Sequence, residues 1–129
     1  MSPVDERDFA KAMKLFQADR FIPAEKLFLK VARKNPDDKR CRLLHAWCGL
    51  QQSRMNEALV LFADLAELFP ESEKASLGLF HSLWALGHKQ PALAEMERYR
   101  GVNPDSEEYA KLSTHFEVDP DAGADASSS

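Results

Sequence analysis

The sequence predicts an all-α fold: three tandem helix–turn–helix units closed by one further helix. Three observations predict it. Prolines recur at Pro36, Pro70 and Pro104, alanines at Ala24, Ala58 and Ala92, and bulky apolar residues at Phe28, Phe62 and Met96, each 34 residues apart. Within each unit the apolar residues fall at i, i+3, i+4 and i+7, the period of a helix with one packed face. Five glycines in 129 residues leave little material for a turn-dense β fold or a glycine-rich phosphate loop. A period of this length marks a stacked array, in which each unit buries its apolar face on its neighbours.

The first helix of the first unit is read from Phe9, Ala12, Met13 and Phe16, and the second from Ala24, Leu27, Phe28 and Val31. Between them Asp19-Arg20-Phe21-Ile22-Pro23 breaks the pattern. Pro23 is tolerated in the first turn of the second helix, where no partner awaits its missing N–H. The second unit gives Leu43, Ala46, Trp47 and Leu50, then Ala58, Leu61, Phe62 and Leu65. The third gives Leu77, Phe80, His81 and Trp84, then Ala92, Leu93, Met96 and Tyr99, with Gly87 and Pro91 at its inner turn.

Each unit closes on a proline followed by acidic or hydroxyl residues: Pro36-Asp37-Asp38, Pro70-Glu71-Ser72 and Pro104-Asp105-Ser106. Proline cannot continue the helix before it, and Asp or Ser can cap the helix after it. The units therefore span about 5–38, 39–72 and 73–106. Residues 105–117 read as a capping helix, with Tyr109, Leu112 and Phe116 on one face and an Asp105/Glu108 capping box. An array needs such an element over its last exposed face. The domain thus runs over 1–118, and the tail 119–129, without apolar periodicity, is expected to be disordered.

These units resemble tetratricopeptide repeats. The resemblance rests on the 34-residue length, the small residue opening the second helix (Ala24, Ala58, Ala92), the aromatic one turn on (Phe28, Phe62) and the closing proline, and it covers residues 5–104. It implies a right-handed α-solenoid and a protein-binding module rather than an enzyme. The first helices depart from the family pattern. Asp8, Arg42 and Ser76 stand where an aromatic or large apolar residue usually opens the helix, with apolar residues one place later. Phe80 stands where Ala12 and Ala46 supply the expected small residue. Such departures point to first helices rotated or shifted by one residue.

In the family, the first helices line a concave groove that holds a peptide. The matching columns here are Phe9, Leu43 and Leu77; Met13, Trp47 and His81; and Phe16, Leu50 and Trp84. They imply a strongly apolar groove suited to an amphipathic helix or an extended segment with hydrophobic side chains. If the residues were core instead, replacing Trp47 or Trp84 with alanine would cost the ~3–5 kcal/mol of a buried aromatic. Some family members clamp the C-terminal carboxylate of heat-shock chaperones with Lys and Asn. The matching sites are Phe9, Met13, Leu44, Lys74 and Gly78, and only Lys74 keeps the type, so no carboxylate clamp is expected. Size and repeat number are similar to bacterial type III secretion translocator chaperones.

Other chemistry finds little support. Cys41, His45 and Cys48 share one helix, but a structural zinc site wants four ligands in close pairs, so no metal and no cofactor is expected. No serine sits in a Gly-x-Ser-x-Gly turn, and the histidines have no evident orienting carboxylate, so no catalytic residue is expected. The two cysteines, seven apart on one helix, lie too far apart for a disulfide and fit a reducing compartment. With no basic-then-apolar leader and no stretch of about 18 apolar residues, the chain is expected to be cytoplasmic and off the membrane.

Net charge is −4 but unevenly spread: residues 1–54 carry 12 Lys/Arg against 7 Asp/Glu, and residues 55–129 carry 5 against 14. Lys34, Lys39 and Arg40 form a candidate patch for an acidic partner, whereas nucleic acid is disfavoured because no aromatics interleave with the basic run. The expected function is an adaptor or chaperone-like module binding a protein segment. The alternative is a structural subunit that self-associates or docks permanently into a larger assembly, which salt-dependent dimerisation would reveal.

Overall fold

The computed structural model describes residues 1–117, with side chains through Thr114. These form α1 (Pro3–Gln17), α2 (Phe21–Lys34), α3 (Lys39–Gln51), α4 (Met55–Leu68), α5 (Glu73–Ala85), α6 (Lys89–Val102) and α7 (Glu107–Glu117), with no strand among the described residues. From α1 to α6 each helix packs on the next, so the architecture is an all-α array of helix pairs. The expected tail 119–129 lies outside the described residues.

Side-chain caps start the first helix of every unit. The Ser2 hydroxyl accepts the Asp5 N–H at 3.1 Å. Asp38 accepts from the N–H groups of Arg40 at 2.9 Å and Cys41 at 3.4 Å. Ser72 accepts from Ala75 at 3.2 Å and Ser106 from Tyr109 at 3.3 Å. Each satisfies an N–H that the helix itself leaves without a partner. The cap of α7 is therefore Ser106, not the Asp105/Glu108 box read from the sequence. Asn103 takes the Asp105 N–H at 3.2 Å and turns the chain one residue further, which puts Ser106 in register with Asp38 and Ser72.

The second helices start differently. Arg20, Arg54 and His88 offer no side-chain cap, and each follows a residue in the left-handed region: Asp19 at φ 61°, Ser53 at 63° and Gly87 at 86°. The next N–H reaches back five residues, Arg20 to Leu15 at 2.8 Å, Arg54 to Gly49 at 3.0 Å and His88 to Leu83 at 2.9 Å. This closed C-terminal turn favours glycine at its left-handed position. Only the third unit supplies one.

The core forms three clusters, each centred on one unit and reaching into the next: Ala12, Ala24 and Phe28 with Cys48 of α3; Ala46, Ala58, Phe62 and Leu65 with Ala75 of α5; and Phe80, Ala92 and Tyr99 with Tyr109 of α7. The alanines at 24, 58 and 92 are fully buried, so the helices of a pair approach closely there. Ala12, Ala46 and Phe80 are also buried, each against the second helix of its own unit. The first helices thus keep the family's packed face and are not rotated away from it. Gly78 makes room where the third unit departs: a Cβ there would lie 2.2–2.4 Å from the Phe62 ring.

α7 packs as the first helix of a fourth unit would. Tyr109 is fully buried beside Phe80 and Tyr99, with ring centroids 5.9 and 5.7 Å away. Its hydroxyl lies 2.7 Å from Ser76 Oγ, which donates to Glu95 at 2.7 Å. Glu95 in turn accepts two hydrogen bonds from Arg98, at 2.9 and 2.7 Å. Burial pushes the Tyr109 phenol well above its ordinary value, against the hydrogen bond to Ser76, so it stays a neutral donor.

Candidate functional site

The first helices enclose a cleft of about 660 Å³ near the N-terminal ends of α3 and α5. Phe9 and Met13 of α1 and Leu43 and Leu44 of α3 supply its apolar surface. Charge rims it: Lys39 and Arg40 on one side, Glu71, Glu73 and Lys74 on the other. The cap residue Ser72 and Tyr99 complete the lining. An apolar surface with a few polar groups at its edge is the usual composition of a binding cleft, and this volume lies within the ordinary range.

Several rim groups are already held. The Arg40 guanidinium lies 4.6 Å over the Phe9 ring and pairs with Asp38 at 3.1 Å. The Arg40 hydrogen bond holds the Asp38 carboxyl below its ordinary value, against the effect of burial. Lys39 sits 5.4 Å over the Phe69 ring. Glu73 accepts from Ser106 Oγ at 2.5 Å. Tyr99 donates to the Glu71 carbonyl at 3.1 Å, which fixes the turn that forms one wall. Lys74 is exposed and makes no ion pair among the described residues.

The nine residues of the three columns read from the sequence separate. Phe9, Met13 and Leu43 line this cleft. Trp47 is half-buried, its ring edge-on to Phe62 at 5.2 Å and to His81 at 6.2 Å. His81 is exposed at one edge yet flanked by Phe80 at 5.4 Å, and this crowding lowers its pKa from the ordinary value. Trp84 is half-buried and stacks on Phe80 at 5.8 Å, with Lys89 5.2 Å over its ring. Leu77 packs at the edge of the third core cluster. Phe16 meets Phe21 and Phe28 edge-on at 5.4 and 6.3 Å, inside the first unit's aromatic cluster. Leu50 is buried at 8 % exposure.

Of the basic patch, Lys39 and Arg40 rim the cleft, whereas Lys34 lies at the end of α2, 3.6 Å from Asp5. Sequence reasoning did not single out Glu71, Glu73 or Tyr99 as groove residues, although the cap positions at 34-residue spacing already marked this edge. Leu44 and Lys74 had entered only as sites of an absent clamp, and they line the cleft beside Phe9 and Met13. Gly78, the fifth such site, is buried against Phe62.

Cys41 and Cys48 are free and buried, and burial pushes their thiols up to about 11 and about 12. Thiols so protonated are poor nucleophiles and poor metal ligands. His45 faces Glu25 at 3.4 Å, and burial outweighs that carboxylate and lowers its pKa. Among the described residues no group of three His, Cys, Asp or Glu side chains could hold a metal ion. No helix among them is long and apolar enough to cross a membrane.

Stacked helix pairs with an apolar cleft along the first helices define a repeat-built binding scaffold. A tetratricopeptide repeat model matches residues 49–115, over half of the chain, and the chain belongs to that family of protein-interaction scaffolds. Solved structures share the fold. The Yersinia enterocolitica type III secretion chaperone SycD, in complex with a peptide of the translocator YopD, superposes with a TM-score of 0.78 at 17 % identity, over 89 % of this chain and 88 % of that one. The Arabidopsis OM64 tetratricopeptide domain gives 0.75 at 15 % identity, over 84 % and 89 %. The Thermus thermophilus repeat protein TTC0263 gives 0.74 at 21 % identity, over 79 % and 58 %. No curated protein matches the chain.

Proposed function

We propose that the chain is an adaptor or chaperone-like module that captures a protein segment in the cleft between α1, α3 and α5. The observation that carries this reading is the joint exposure of Phe9, Met13 and Leu44 inside a charged rim. These side chains pack on the first core cluster with one side and leave the other open to the cleft, at the meeting of two units. A segment presenting two or three bulky apolar side chains would bury them there, and the rim would fix its direction. The secretion chaperone of like architecture is in complex with a translocator peptide, which supports a peptide as the class of occupant. The contact is apolar in this reading, because Lys74 is the single clamp-type residue at the matching sites.

The test is selection from a displayed peptide library, followed by affinity measurements on two variants. Leu44→Glu places a charge on the apolar surface, and Lys74→Glu reverses the exposed rim. Selected peptides should be rich in apolar residues and lose at least about tenfold in affinity to Leu44→Glu, the scale of one lost apolar anchor. Lys74→Glu should alter charge preference with little change in melting temperature. A selection without binders, or binders indifferent to both variants, overturns the reading.

A further inference from the structure

A second cleft lies on the other side of α3, between the first and second units. At about 100° per residue, Arg42 and His45 lie on the face of α3 opposite Arg40, Leu43 and Trp47. The cleft holds about 350 Å³. Leu29 of α2 and Leu61 and Leu65 of α4 form its apolar surface. Arg33, Arg42 and Asp64 bring charge to it.

The repeat itself shows what is unusual here. Asp8, Arg42 and Ser76 share one column, and Lys30, Asp64 and Arg98 share another, 22 residues further along each unit. In the first unit the two columns close on each other: Lys30 pairs with Asp8 at 3.0 Å. In the third they close through Glu95, which accepts from Ser76 at 2.7 Å and from Arg98 at 2.7 and 2.9 Å. In the second the signs are reversed and the pair stays open. Among the described residues no ion pair within 4.0 Å involves Arg42, Asp64 or Arg33. The cleft between the first and second units thus holds two guanidiniums, Arg33 of α2 and Arg42 of α3, without a carboxylate partner within ion-pair distance among the described residues and beside an apolar surface.

We infer that this cleft is a second binding site, for a carboxylate carried on an apolar body, with Arg42 and Arg33 holding the carboxylate and Leu29, Leu61 and Leu65 covering the body. Guanidinium is the cation suited to such a group, because its donors match a carboxylate two at a time. Two cations against one Asp64 carboxylate leave the cleft with room for one further negative charge. His45 adds none near neutral pH, since burial keeps it unprotonated. The volume takes a single side-chain-sized body, so the ligand is a small aryl or alkyl acid, or an acidic residue beside an apolar one in a partner segment. The site shares no residue with the first cleft and stands independently of the function proposed above.

The test is amide shift mapping by NMR on the whole chain. One arm titrates 4-phenylbutyrate and its uncharged amide; the other titrates a capped leucine–glutamate–leucine peptide and its glutamine counterpart. An acid should move the signals around Arg33, His45 and Leu61, and its uncharged twin should bind at least about tenfold more weakly, the scale of a charge-assisted pair. Arg42→Gln should lose about tenfold, and the exposed Arg33→Gln should lose affinity without any effect on folding. Asp64→Asn should tighten binding a few-fold by removing the competing carboxylate. Leu44→Glu, in the other cleft, should change nothing. The arm that binds more tightly identifies the source. Equal binding of acid and uncharged twin, shifts confined to the first cleft, or no shifts in either arm overturn the inference.

Discussion

Replacing Gly78 with alanine adds one carbon where α5 lies against the Phe62 ring of the second unit. The new Cβ would lie 2.2, 2.3 and 2.4 Å from three atoms of the Phe62 ring, where ordinary contact needs more than 3.4 Å. The ring cannot simply withdraw. Phe62 is fully buried and edge-on to Trp47 at 5.2 Å. Overpacking of this kind costs about 1–3 kcal/mol, and a contact this short belongs at the upper end. The better helix propensity of alanine offsets about 1 kcal/mol of that. Gly78→Ala should therefore lose about 2 kcal/mol in urea denaturation followed by circular dichroism. Gly101→Ala is the control: nothing lies within 4 Å of its Cβ, so it should gain up to about 1 kcal/mol. Phe62→Leu should relieve much of the Gly78→Ala penalty in the double variant, since the clash is with the ring. A Gly78→Ala protein as stable as the parent would refute the close packing and, with it, the reason given for the third unit's departure.

The remaining predictions concern turns, the buried network and pH. Asp19→Gly and Ser53→Gly should each gain about 0.5–1 kcal/mol, because both residues hold the left-handed conformation that Gly87 adopts without strain; Gly87→Ala should lose a similar amount, read from melting curves. Ser76→Ala should cost about 1–3 kcal/mol, because it strands the buried Tyr109 hydroxyl, and adding Tyr109→Phe should recover part of that loss in a double-mutant cycle. Stability should fall with acidity in two stages. The pKa of His45 is lowered by burial and that of His81 by desolvation beside the Phe80 and Trp47 rings, so the unfolded chain takes up their protons first and stability declines below pH 6.5; His45→Gln with His81→Gln should flatten that stage. Asp5, held down by its hydrogen bond from Asn35, and Glu25, whose burial is outweighed by hydrogen bonds from Arg54 and Gln52, also have lowered values. Their contribution therefore persists above the usual carboxylate range and is lost below about pH 4.

The architecture was legible because each unit repeats the same physical solution. The alanines at 24, 58 and 92 mark close helix approach, and the prolines mark where a helix must stop. The capping column was legible at Asp38 and Ser72 but misplaced at α7, because Asp105 and Ser106 are both competent caps. Only the turn geometry set by Asn103 chooses between them. The cleft was harder. Phe9, Leu43 and Leu50 look alike as an apolar stripe, yet Leu43 and Leu50 are buried while Phe9 stays half-open. Exposure depends on the neighbouring unit, which periodicity within a helix does not encode. The open Arg42–Asp64 pair was hidden for the same reason: its meaning emerges only when the three units are compared in space.

Binding of protein segments along the first helices is the central claim, and amide shift mapping of a library-selected peptide tests it most directly. Shifts should cluster at Phe9, Met13, Leu44 and Lys74 and be lost in Leu44→Glu. Shifts clustered on α2, α4 and α6 instead, with α1, α3 and α5 undisturbed, would contradict it.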